Sequence, residues 1–207
     1  CSFTCVSEIK NMLINNGYIE LCEGEKWDIS TSKYFVIRND SSIIAFNIGK
    51  NYRAGFNIIC SHGDTPGFSL KPKSEIYEYD YLKLNVTPYG GILNYGWMDR
   101  PLGITGRVIY KDNDVYKKKI INLTEPKCVI PSEAIHQNDS ANSNLDLNSQ
   151  IDMIPVISLS DDEDFVYDIL SGEVCNCEIC DYDLFLYNLI SLQLINKALF
   201  GSAAKKR

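Results

Sequence analysis

With 207 residues, 45% of them hydrophobic and 23% charged, the chain is long enough to bury a core and too apolar to be disordered throughout. Its net charge of -7 argues against nucleic acid or an anionic membrane as partner, because phosphate binding needs clustered cations, and here Lys and Arg are scattered apart from the short runs 117–119 and 205–207. No apolar run is long enough to span a bilayer, and the first residues lack the basic start and apolar stretch of a signal peptide, so a cytoplasmic protein is expected.

In chain order, Ile9, Met12 and Leu13 recur at helical spacing and Gly17 follows as a stop, which predicts a short amphipathic helix over 7–16. Residues 18–22 read as a strand leading to a polar turn. Residues 33–38 alternate and are β-rich, Asn39–Ser42 is a turn, and 43–48 is a second strand, giving a hairpin. Asn57–Cys60 is an apolar run bounded by Gly55 and by Ser61-His-Gly63, the pattern of a buried strand in a central sheet.

Further strands are predicted over 82–86, 107–110, 118–123 and 129–130. Residues 153–159 form a β run that Pro155 confines to an edge or a bulge. Turns recur often enough to suggest a small sheet or barrel. Between these strands lies a long polar loop, 137–150, of a length that is often functional. Asp161–Asp164 is an acidic start for a helix over 165–170, and 182–200 looks helical and strongly apolar. Gly201–Arg207 reads as a frayed tail, and the absence of an initial Met suggests a trimmed piece.

Eight cysteines without a secretory signal are expected to be reduced thiols. Cys175, Cys177 and Cys180 crowd together and could hold a soft metal, but a structural zinc site usually takes four ligands and no His lies near. An incidental thiol-rich loop is the plainer alternative.

Only two histidines occur, His62 and His136. His62 follows the apolar run, at the strand end where α/β sheets bind ligands. Asp64 stands two residues on, where a carboxylate can accept the second imidazole N–H, fix the tautomer and raise ligand basicity. Taken bare, His-x-Asp is also compatible with an ordinary polar loop.

The surrounding blocks weigh more. Gly55–Phe68, containing Ser61-His-Gly-Asp-Thr-Pro66, resembles the strand and His-Thr-Asp-Ser-Pro turn of the aspartyl aminopeptidase family of zinc metallopeptidases. Leu82–Val86, Tyr89-Gly-Gly91, Trp97-Met-Asp-Arg100, Gly106–Ile109, Ile130–His136 and Asp183–Tyr187 resemble that family's next blocks, in order. Gly63 stands where the family usually has Thr, and Met98 where it usually has Phe.

The resemblance implies an α/β fold: part of a zinc-exopeptidase-like α/β/α catalytic domain with an inserted all-β dimerisation domain. Residues 1–81 would be the N-terminal part of the catalytic domain, 82–187 the inserted assembly domain, and 188–207 a helix and tail returning toward the catalytic domain. It implies His62 as a zinc ligand, Asp64 as its orienting carboxylate, and His136 as a group that reaches a neighbouring subunit's active site to stabilise the tetrahedral intermediate. The implied cofactor is Zn2+, two ions per complete site; the implied partners are peptide substrates with N-terminal acidic residues and further copies of the chain.

The bridging carboxylate, the Glu base, the other carboxylate ligands and the second ligand His would lie beyond this chain, which alone is therefore expected to be inactive. Two other readings stay open: a non-catalytic oligomerisation module, and a metal protein centred on the cysteine cluster.

Overall fold

The computed structural model describes residues 1–49, 51, 55–143, 146–159 and 164–189. They fall into two compact units, Cys1–Thr65 and Pro66–Arg207.

The first unit begins with α1, Ser2–Asn15, which buries Phe3 and Val6, one turn apart on one face. The helix therefore starts earlier than Ile9, Met12 and Leu13 alone suggest. It ends where Gly17 adopts φ +78, so that the Gly17 and Tyr18 N–H groups donate back to Ile14 and Leu13 carbonyls at 3.0 Å each. A small sheet follows: β1 (Ile19–Glu20), β2 (Lys33–Arg38) and β3 (Ser42–Asn47), in the order β1-β2-β3. The β2–β3 hairpin is as predicted; Asn39 and Asp40 take the left-handed conformation that Asn and Asp tolerate. Leu21, Tyr34 and Val36 form its core.

The predicted strand over 57–60 is not formed. A strand exists only by pairing, and among the described residues none pairs with this run. Phe56, Ile58 and Ile59 are instead 86%, 79% and 97% exposed.

The second unit holds a six-stranded sheet in the order β7-β6-β9-β4-β5-β8. Its strands are β4 (Gly67–Glu78), β5 (Tyr81–Tyr89), β6 (Leu102–Asp112), β7 (Val115–Cys128), β8 (Val156–Ser158) and β9 (Glu178–Asn188), with, among the described residues, one α-helix, α2 (Phe165–Glu173). Two hairpins turn on two residues each, Tyr79-Asp80 and Asn113-Asp114, all with positive φ, the geometry that matches strand twist.

Because β4 pairs with both β5 and β9, the second unit starts at Pro66, ahead of the boundary expected between 81 and 82. Strand β8 lies at the sheet edge, as Pro155 requires. Helix α2 begins after Asp164, and the Val166 N–H donates to Glu75 Oε1 at 2.7 Å. Among the described residues no helix is long and apolar enough to cross a membrane.

The helix expected from residue 182 onward is a strand as far as Asn188, and 190–200 lie outside the described residues. Leu184 and Leu186 point into the core, while Phe185 and Tyr187 are half-buried on the opposite face. Both faces being apolar, the run carries no period that separates strand from helix. Its place between β6 and β4 decides the matter, since β9 pairs with β6 along nearly its whole length and with β4 at Phe185 and Leu186.

At Gly106, with φ +156, a Cβ would stand 2.0 Å from the Asp183 carbonyl oxygen. Only glycine lets β6 and β9 approach so closely there. The core around Phe68, Leu84, Leu102, Ile104 and Leu184 is sealed by Ile130 and Met153 from the long connection between β7 and β8.

Candidate functional site

His62 and Asp64 come together as their spacing suggests. The Asp64 Oδ1 lies 2.6 Å from His62 Nδ1. A carboxylate acceptor there favours the proton on Nδ1, and in a neutral imidazole that arrangement leaves Nε2 its lone pair. The Asp64 carbonyl, 2.9 Å from the same Nδ1, supports that tautomer, which leaves the Asp64 N–H, 3.4 Å away, no acceptor at Nδ1.

The imidazole is exposed and the carboxylate largely covered. A covered acceptor holding an exposed ring is the usual support for a metal-ligating His. These residues fit one zinc ligand and the group that orients it. Among the described residues no three His, Cys, Asp or Glu side chains converge to hold a metal ion, so His62 and Asp64 supply at most one ligand and its support.

The cysteine cluster does not converge either. Cys175 and Asn176 take positive φ in the turn after α2, Cys177 packs against the core, and Cys180 lies exposed on β9.

His136 belongs to the second unit, exposed in a turn closed by the Gln137 and Asn138 N–H groups, both donating to the Ala134 carbonyl. The polar stretch after it holds itself through its own side chains. Asn138 Oδ1 accepts the Ser140 N–H at 3.1 Å, Asn148 Oδ1 accepts the Gln150 N–H at 2.9 Å, and Asp152 Oδ2 accepts the Asn148 N–H at 2.6 Å.

A 3-10 turn, Asn94–Gly96, and the residues after it meet both ends of this connection. Asn94 Nδ2 donates to the Leu147 carbonyl at 3.3 Å. Asp99 Oδ1 accepts the Ser132 N–H at 2.9 Å, and the Asp99 N–H donates to the Ile130 carbonyl at 2.8 Å. The Ser132 hydrogen bonds hold the Asp99 carboxyl below the usual carboxylate range. Between the two segments lies a cleft of about 670 Å³, bordered by Lys83, Asp99, Glu133, Asp146 and Asp152.

Sequence reasoning passed over Asp99. The available signal was an acidic residue in Trp97-Met-Asp-Arg100, of a type that tolerates the left-handed backbone it adopts at φ +55.

An exposed histidine oriented by a carboxylate, ahead of a unit built mainly of antiparallel strands, is compatible with a zinc peptidase. The chain belongs to the M18 family of aminopeptidase I zinc metalloproteases, which it matches over residues 1–174. It is 42% identical over 182 residues to a probable M18 family aminopeptidase 2 of Clostridium acetobutylicum, covering 83% of this chain and 42% of that protein. It is 38% identical to an aspartyl aminopeptidase of Dictyostelium discoideum, covering 75% of this chain and 33% of that one.

Among solved structures, it resembles a chain in the cryo-EM structure of the Ape4 and Nbr1 complex, with a TM-score of 0.83 and 32% identity over 91% of this chain and 41% of that chain. It resembles the S. cerevisiae mApe1 dodecamer with a TM-score of 0.71 and 28% identity, over 91% of this chain and 45% of that chain. The fold is thus that of the M18 aminopeptidases, and the chain spans less than half the length of these relatives.

Proposed function

We propose that this chain is the N-terminal portion of a cytoplasmic zinc aminopeptidase that removes N-terminal acidic residues from peptides. In this reading His62 ligates zinc through Nε2 and Asp64 fixes its tautomer. The complete site holds two zinc ions, with the other ligands and the general base on residues beyond this chain. The unit from Pro66 onward mediates assembly with further copies, and His136 serves a partner's active site.

The observation that carries the reading is the 2.6 Å contact between His62 Nδ1 and Asp64, which leaves the exposed imidazole its Nε2 lone pair. Membership of a zinc metalloprotease family and likeness to a dodecameric relative support the chemistry and the assembly. Bound zinc would polarise the scissile carbonyl and acidify a water. What His62 and Asp64 contribute is one neutral, oriented imidazole.

The test uses the complete protein and peptides beginning with Asp or Glu. His62→Ala is expected to lose zinc, measured by metal analysis, and to lose hydrolysis. His136→Ala is expected to lower kcat by roughly 10²–10³-fold, as loss of one oxyanion donor does. Mixing the two variants should restore activity in hybrid assemblies, because some sites then have both groups intact. A mixture that stays dead although hybrids form would sink the role in trans, and full zinc content in His62→Ala would sink the ligand assignment.

A further inference from the structure

We propose that Asp99 is the positioning residue of the segment that carries His136, gripping its backbone on both sides of Pro131; this rests on the reading of His136 given above. The Asp99 N–H donates to the Ile130 carbonyl at 2.8 Å, and Asp99 Oδ1 accepts the Ser132 N–H at 2.9 Å. Pro131 between them has no N–H to offer, so Asp99 takes up the two backbone groups that flank it. Ile130 is fully buried, and Met98 pairs with it in a parallel bridge, so the grip is anchored in the core.

Past Ser132 the chain is exposed through Gln137. Only three residues separate Ser132 from His136, and the turn on the Ala134 carbonyl follows directly. A shift at Ser132 therefore passes to His136 with little slack.

The residue type fits the task. At φ +55 the backbone is left-handed, which Gly, Asn and Asp tolerate. Of these, Asp alone gives Ser132 a charged acceptor, and charge-assisted hydrogen bonds are the stronger kind. The Asn94 contact to the Leu147 carbonyl tethers the far end of the same connection, so one short turn steadies the loop at both ends.

The experiment compares Asp99→Gly with Asp99→Asn in the complete, assembled protein. Glycine suits the backbone and removes the acceptor; asparagine suits the backbone and keeps one. Two readouts are taken: hydrogen exchange of the amides from Ser132 to Gln137, and kcat and KM on a peptide with an acidic N-terminal residue.

Asp99→Gly is expected to speed exchange at Ser132 about tenfold. Its kcat should fall by roughly 10- to 100-fold, the scale of a small misplacement, while KM stays within about threefold. Asp99→Asn should stay close to the parent protein in both readouts. Unchanged exchange at Ser132 in Asp99→Gly would overturn the proposal, as would Asp99→Asn being as slow as Asp99→Gly. If His136→Ala is inert while Asp99→Gly loosens the segment, the reading of His136 falls and the grip of Asp99 stands.

Discussion

In the unit that begins at Pro66, Phe68, Leu84 and Leu102 are sealed from solvent by strands of the same unit, whereas in Cys1–Thr65 the apolar run Phe56–Cys60 stands open. The contrast is one of strand partners rather than of composition. Every long strand of the second unit finds a neighbour within it; the run before His62 finds none among the described residues. Apolar surface of that kind gains stability only when another element covers it. The second unit thus covers much of its own apolar surface, while the run before His62 and Asp64 stays uncovered among the described residues.

The sharpest way to break this comparison is to attack the second unit where it is tightest. Gly106→Ala would drive a methyl to 2.0 Å from the Asp183 carbonyl oxygen and force φ +156 on a residue that resists it. Overpacking and backbone strain together should remove about 4 kcal/mol or more, measured by urea unfolding of this chain. A loss under about 1 kcal/mol would mean that β6 and β9 separate easily and that the unit is looser than its pairing indicates.

A milder change sharpens the other side. Ile58→Ser with Ile59→Ser should alter the stability of this chain by no more than about 0.5 kcal/mol, since both side chains are already in water. In the complete protein the same pair should be destabilising by about 2–5 kcal/mol, because there the run is expected to be a buried strand. Equal, negligible effects in both would show that the run never gains neighbours.

The same division explains what was legible in the sequence. Residues 33–38 and 43–48 declared a hairpin because alternation and the Asn39–Ser42 turn agree, and both are local. Strand β4 went unread because Pro72 and its charged residues interrupt the alternation, and its turn, Tyr79-Asp80, carries no glycine to announce it. Strand β9 reads as helix in the sequence because it is apolar on both faces around Leu184–Tyr187, which only its neighbours explain. His62 and Asp64 were legible through spacing and block resemblance. Asp99 was not, because its partners Ile130 and Ser132 are remote in sequence and meet it only in the fold.

The smallest expected effect probes the hold of Asp99 through pH. The Ser132 hydrogen bonds place its folded pKa below the usual carboxylate range, so this bond adds stability above the unfolded pKa and loses it as pH falls through the folded value. Lys83, Glu133, Asp146 and Asp152 line the same cleft, so the measurement must be a difference between variants rather than a single curve. Asp99→Asn stays neutral at every pH. At neutral pH the parent chain should melt about a degree or two above that variant, a small gap because the carboxylate is exposed and screened. The gap should begin to narrow below about pH 4, the usual carboxylate range, and close as pH falls through the lower folded value. A gap that persists unchanged at low pH would show that the carboxylate's charge adds nothing to its hold on Ser132.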